Sequence, residues 1–271
     1  MRISRVIFSA AVITSLSGLV AVVAAMPAAE AASAVNYVAL GDSYSSGLGA
    51  GSYISSSGSC DRSNNAYPEQ WAGAHAPASF VSVACAGATT SDVISSQVSA
   101  LSASTTLVSL TIGGNDAGFS STMETCVLHS TSTCVNAVSA DETYIANQLP
   151  ARLDSALQAI RSHAPNAKIV LLGYPELYDL TKSSTCIGLS TTDRTALNGA
   201  ADQLDRAMGS AAARNSATFA DVRSRFSGHE ICDGGSSWLN SVNILSISSS
   251  YHPNASGQIQ GYEYVFANNA G

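Results

Sequence analysis

The sequence predicts an α/β protein with a mostly parallel central sheet covered by helices on both faces. Two observations carry this expectation: short apolar, β-prone runs alternate with segments of helical period, and the runs stop at glycine or cysteine turns. Residues 36–40 form the first run and lead into Gly41-Asp42-Ser43, and residues 80–84 and 106–112 repeat the pattern. Between the latter two, Val93, Ile94, Val98 and Leu101 recur at helical spacing behind the cap candidates Thr89, Thr90 and Ser91, completing a strand-helix-strand unit. Ile145, Leu149, Leu153, Leu157 and Ile160 mark a helix that Pro150 should kink or break, ahead of a strand at 168–173. A second long helix over 192–215 carries Leu197, Ala201, Leu204 and Met208 on one face. A short strand at 218–222 follows, and the final helix begins after Pro253. Ligands of such a sheet bind at the carboxyl ends of its strands. The Gly- and Ser-rich stretch 47–63 and the segment 120–139 read as long, disulfide-tied loops near that edge.

Residues 1–32 read as a secretory signal peptide, with a boundary fixed to within about three residues. Arg2 and Arg5 precede an apolar run over 6–25, and Ala29 and Ala31 give the small-x-small pattern of a processing site. The remainder, 33–271, is about 240 residues, enough for a single domain with a full core. No later stretch approaches the roughly 18 consecutive apolar residues needed to span a bilayer. Net charge is −7 with only 11% charged residues, and the Lys and Arg are scattered, which argues against a nucleic-acid partner. The six cysteines, Cys60, Cys85, Cys126, Cys134, Cys186 and Cys232, are an even set in an exported chain, which favours three disulfides and leaves their connectivity open. Neither a C-x-x-C spacing nor a histidine at zinc-ligand distance accompanies them, so no metal is expected.

A serine hydroxyl becomes a useful nucleophile when a base accepts its proton and preorganised donors stabilise the developing oxyanion. Candidates for these parts stand on successive strand ends: Gly41-Asp42-Ser43-Tyr44-Ser45, Cys85-Ala86-Gly87-Ala88-Thr89 and Gly113-Gly114-Asn115-Asp116. The base candidate is His252, in His252-Pro253-Asn254-Ala255-Ser256-Gly257. In the order and spacing of these four blocks the chain resembles the SGNH (GDSL) hydrolase family, and is most similar to its secreted, Streptomyces-type lipases, esterases and phospholipases. The resemblance implies a flavodoxin-like three-layer α/β/α SGNH hydrolase fold and carboxylic ester hydrolysis without cofactor or metal. It also implies Ser43 as nucleophile, His252 as proton shuttle, and an oxyanion hole built from the N–H of Ser43, the N–H of Gly87 and the side-chain amide of Asn115. The implied bridges are Cys60–Cys85, Cys126–Cys134 and Cys186–Cys232. The expected partner is a small-molecule or lipid ester, met by a monomer that contacts a lipid interface transiently.

The family often carries Asp three residues before its His, where this chain has Ser249. A main-chain carbonyl can still fix the tautomer through Nδ1–H, so a backbone carbonyl of Ser249 or Ser250 is expected to hold the ring, in preference to a distant Asp such as Asp233. Taken alone, Gly-Asp-Ser and Gly-Gly-Asn-Asp are ordinary turns, and Asp42 could serve only to organise its own. His75, His129, His163 and His229 are read as surface or core residues. Asp116 is read as structural support, with the nucleophile turn as its candidate contact. Packing is the expected role of Trp238, Leu239, Tyr44, Tyr53 and Tyr67, although each could line an acyl pocket. Fatty acyl esters are the expected substrates, with phospholipid hydrolysis and carbohydrate O-deacetylation as alternatives and a non-enzymatic binding domain disfavoured.

Overall fold

The computed structural model describes residues 34–182, 186, 188–233, 236–243 and 247–271, and the predicted signal peptide at 1–32 lies outside the described residues. Residues 34–271 make one compact unit. Its sheet has five strands: β1 (Asn36–Ala39), β2 (Ser79–Ser82), β3 (Leu107–Leu110), β4 (Lys168–Leu172) and β5 (Thr218–Ala220). They lie in the order β2-β1-β3-β4-β5, and every pairing is parallel. Burial explains the run-like sequences: β3 is buried at every position and β1 and β4 at all but their first, so both faces need apolar side chains. Strand β2 sits at an edge and alternates exposed with half-buried residues.

The helices are α1 (Ser43–Ser46), α2 (Tyr67–His75), α3 (Thr90–Ser95), α4 (Phe119–Leu128), α5 (Thr131–Asn147), α6 (Leu149–His163), α7 (Thr191–Arg214), α8 (Arg223–Phe226) and α9 (Tyr264–Ala270). Helices α3 to α7 pack against one another, whereas α2, α8 and α9 gather around a π-helical turn at Gly257–Glu263, so two separate helical layers flank the sheet. Local chemistry sets the ends. Thr89 with Asp92 forms a capping box on α3, and Ser190 with Asp193 forms one on α7. Pro150 does break the long helix: α5 stops at Asn147 and α6 starts at Leu149, with the proline in the first turn where its missing N–H costs nothing. Helix α3 is shorter than its periodicity predicts; it gives way to a 3-10 turn at Gln97–Ala100, and Ile94 is exposed.

One expectation is overturned. The segment 120–139 is not a loop but most of α4 and the first half of α5. Its Ser- and Thr-rich composition conceals a buried stripe of Met123, Cys126, Cys134 and Val138, and Ser130 caps α5 by accepting from the Thr133 N–H. Tertiary burial outweighs the weak helix propensity of Ser and Thr here. The disulfides join Cys60 to Cys85, Cys126 to Cys134 and Cys186 to Cys232. The second of these staples α4 to α5 across their connecting turn. Replacing Cys126 and Cys134 together by Ala should lower stability by about 2–3 kcal/mol through the freed chain entropy of the unfolded state, read as a lower thermal midpoint in calorimetry.

Candidate active site

Main-chain pairing between β1 and β3 continues past the strand ends, since the N–H of Asp42 donates to the Thr111 carbonyl at 3.0 Å. Gly41, at φ +117°, turns the chain there, and a Cβ on it would lie 2.5 Å from the Thr111 oxygen, so no other residue fits. The buried Gln97 side chain grips the same glycine from both sides, accepting its N–H at 2.7 Å and donating to its carbonyl at 2.9 Å. Asp42 then caps α1: Oδ1 accepts from the Tyr44 N–H at 3.0 Å and from the Thr111 hydroxyl at 2.6 Å, while the Tyr174 hydroxyl donates to Oδ2. Burial pushes its carboxyl up to about 6 even though these donors favour the charged form. Ser43, the first residue of α1, is buried behind this cap.

His252 arrives from the other end of the chain. Its Nε2 lies 2.7 Å from Ser43 Oγ and its Nδ1 lies 2.9 Å from the Ser250 carbonyl. A carbonyl can only accept, so Nδ1 carries the proton and Nε2 is left to accept from the Ser43 hydroxyl. The Ser249 carbonyl takes the main-chain N–H of His252 instead, at 3.4 Å. Asp233 is engaged elsewhere, in an ion pair with Lys182. Withdrawal from water drives the imidazole down to about 4, against the pull of the Ser250 and Ser248 carbonyls. The ring is therefore neutral, and able to accept a proton, throughout the near-neutral range.

The two other turns flank this pair, because β2 and β3 are the neighbours of β1. Gly87 sits in the turn after β2 at φ +81°, and no atom lies within 4 Å of a Cβ added there. It is the backbone conformation, not crowding, that calls for glycine at this position in the unliganded protein. Asn115, in the turn after β3, donates one amide hydrogen to the Ala88 carbonyl at 3.0 Å, which orients the group and leaves its second N–H for another acceptor. The hydrogen bonds of Asp116 go to α3 and not to the nucleophile turn. Its carboxylate accepts from the Thr90 N–H at 2.9 Å and the Thr90 hydroxyl at 2.5 Å, tying the third turn to the start of α3. Cys60–Cys85 anchors the loop at 47–63 to the turn carrying Gly87.

Ser43 and His252 open onto a cavity of about 250 Å³. Its walls include Phe119, Met123 and Val127 from α4, Ala201 and Leu204 from α7, and Tyr174 and Leu177 after β4. Asn115 stands at the same cavity, and among the described residues Glu124 is the one carboxylate besides Asp42 on its wall.

Residues 39–258 match the GDSL-like Lipase/Acylhydrolase family. The chain belongs to this family. Lipase 1 of Streptomyces coelicolor is 54% identical over 92% of this chain and 90% of its own length. The crystal structure of phospholipase A1 from Streptomyces albidoflavus superposes with a TM-score of 0.85 at 52% identity, covering 88% of this chain and 100% of that one. The extracellular lipase of Streptomyces rimosus gives 0.84 at 48% identity, over 87% and 100% of the two chains. The protein is an ester hydrolase of the GDSL family, and the fold those relatives share is the parallel sheet flanked by helices described above.

Within this GDSL hydrolase, several residues around the site have no signal in the four sequence blocks. Tyr174 and Gln97 hold the nucleophile turn, and Gln258, fully buried, accepts from the Tyr67 N–H and donates to the Tyr44 carbonyl. Of the aromatic and apolar candidates for a pocket lining, only Tyr44 takes that place; Tyr67, Trp238 and Leu239 are buried elsewhere and Tyr53 is exposed. His75 and His229 stack on Trp71 and Trp238, and His163 hydrogen-bonds the Ala159 carbonyl of its own helix. An NMR titration of the His252 ring should give an inflection near pH 4, well below that of an exposed histidine. The sign follows from linkage: between pH 4 and 6.5 the unfolded state binds a proton that the folded state refuses, so this group's contribution to stability falls as the pH drops through that window.

Proposed function

We propose that the protein is a secreted lipase or esterase that hydrolyses fatty acyl esters through an acyl-Ser43 intermediate, with His252 as its base in a Ser-His dyad. The observation that carries this is the 2.7 Å contact between Ser43 Oγ and a neutral imidazole at the mouth of an apolar cavity. Ser43 Oγ forms the bond to the acyl carbon while its proton passes to Nε2, and the N–H groups of Ser43 and Gly87 and the free N–H of Asn115 receive the oxyanion. The imidazolium returns its proton to the departing alkoxide, water then attacks the acyl-enzyme with His252 as base, and the carboxylic acid leaves. With only carbonyl partners and little water around it, that imidazolium is a strong acid, which favours rapid delivery of the proton to the alcohol. Export is supported by the Arg2 and Arg5 start followed by an apolar run, by the disulfides, and by the extracellular lipase relative. Among the described residues, no helix is long and apolar enough to cross a membrane.

Phospholipid hydrolysis uses the same parts, and the phospholipase A1 relative supports it as the second reading. An acyl pocket walled by α4 and α7 reads the chain and leaves the head group outside, so glycerides and phospholipids share it. An O-deacetylase would leave this apolar space unfilled. A fluorophosphonate probe should label the wild-type chain and not Ser43→Ala, and nitrophenyl octanoate should be hydrolysed at least as fast as the acetate; an unlabelled wild-type chain, or activity confined to acetate, would contradict the proposal. Asn115→Ala should lower turnover by roughly 100- to 1000-fold with circular dichroism unchanged, and a near-normal rate would remove its amide from the oxyanion site.

A further inference from the structure

The Ser43–His252 contact bridges turns 209 residues apart, and a second buried hydrogen bond ties the same turns together. Tyr44, which follows Ser43, donates its hydroxyl to the carbonyl of Tyr251, which precedes His252, at 2.7 Å. The Tyr44 ring stands 5.1 Å from the imidazole and packs edge-on against Tyr174 at 5.0 Å and Tyr262 at 5.9 Å, so the hydroxyl is delivered from a fixed platform. Its target is strained: Tyr251 has φ +66°, a conformation rare for any residue with a side chain, and such strain persists only where the surroundings impose it. The peptide linking Tyr251 to His252 is held unequally at its two ends. Its N–H makes a long bond of 3.4 Å to the Ser249 carbonyl, whereas its carbonyl receives the short one from Tyr44. Rotation of this peptide plane would carry the imidazole away from Ser43.

We propose that Tyr44 is a positioning residue: its hydroxyl clamps the Tyr251 carbonyl and so holds the strained turn that aims His252 at Ser43. The proposal rests on the dyad reading given above. It makes the residue beside the nucleophile responsible for where the base stands, a role separate from the packing of its ring.

The test is Tyr44→Phe, which keeps the ring and removes the hydroxyl. With nitrophenyl octanoate, turnover should fall about 10- to 100-fold, as expected for misplacing a catalytic group by a fraction of an ångström to an ångström, while KM stays within about twofold. The His252 ring, followed by NMR, should titrate above its native value of about 4 as it gains access to water. Observing the ring itself keeps the readout separate from Asp42, whose carboxyl is pushed up to about 6. In a Tyr251→Gly background, where the left-handed conformation is free of strain, adding Tyr44→Phe should cost less than about threefold in turnover. Unchanged turnover in Tyr44→Phe overturns the proposal, as does an equal loss in both backgrounds with an unmoved His252 titration. A Tyr44→Phe chain that also loses its near-ultraviolet circular dichroism overturns it too, since the hydroxyl would then be holding the fold and not the ring. Ser43→Ala and His252→Ala assayed in parallel separate the two ideas. Activity in either sinks the dyad reading, whereas their inactivity beside a fully active Tyr44→Phe sinks only the positioning role.

Discussion

Parallel pairing of β1 with β2 on one side and β3 on the other is the constraint on which the site depends. Because all three strands run the same way, their carboxyl ends deliver three turns to one edge of the sheet, and those turns carry Ser43, Gly87 and Asn115. Cross-links between turns then remove the remaining freedom. Asn115 bonds the carbonyl of Ala88, Asp116 bonds Thr90, and Asp42 bonds Thr111. The fourth component, His252, belongs to no strand and is brought in by the C-terminal segment, whose Gln258 grips the main chain at Tyr44 and Tyr67.

Electrostatically the site is built on neutrality. The imidazole is neutral in its resting state, its Nδ1 partner is a carbonyl, and the candidate oxyanion donors are peptide and amide groups. The carboxyl nearest the dyad, Asp42 beside Ser43, is buried and surrounded by three donors. An apolar cavity beside such groups strengthens every dipole that faces the reacting carbon, because little water competes for them.

Much of this was legible in the chain itself. Apolar runs ending in glycine marked the strands, Pro150 marked a helix boundary, and the order of the four blocks singled out Ser43 and His252 as a pair. What stayed hidden has a common physical origin. Helices α4 and α5 are made of weak helix formers, and their existence follows from burial against each other and, for α5, against α7, which composition does not reveal. Gln97, Tyr174 and Gln258 are polar residues whose meaning comes from partners 56, 132 and 214 positions away in the chain. A lone Gln or Tyr in a sequence carries no mark of such a partner. The pocket wall was hidden for a related reason, since the stripe that packs a helix into the core and the stripe that lines a cavity share one periodicity.

The grip of Gln97 on Gly41 illustrates how narrow such specifications are. A carboxamide can present an acceptor and a donor to one residue at once, so here a side chain reinforces the main-chain bond that the Gly41 carbonyl already accepts from the Cys85 N–H. Deamidation would exchange the donor for a second acceptor. A buried anion would then face the Gly41 carbonyl, and slow chemical ageing at a position with no contact to substrate would strike the turn that carries the hydroxyl.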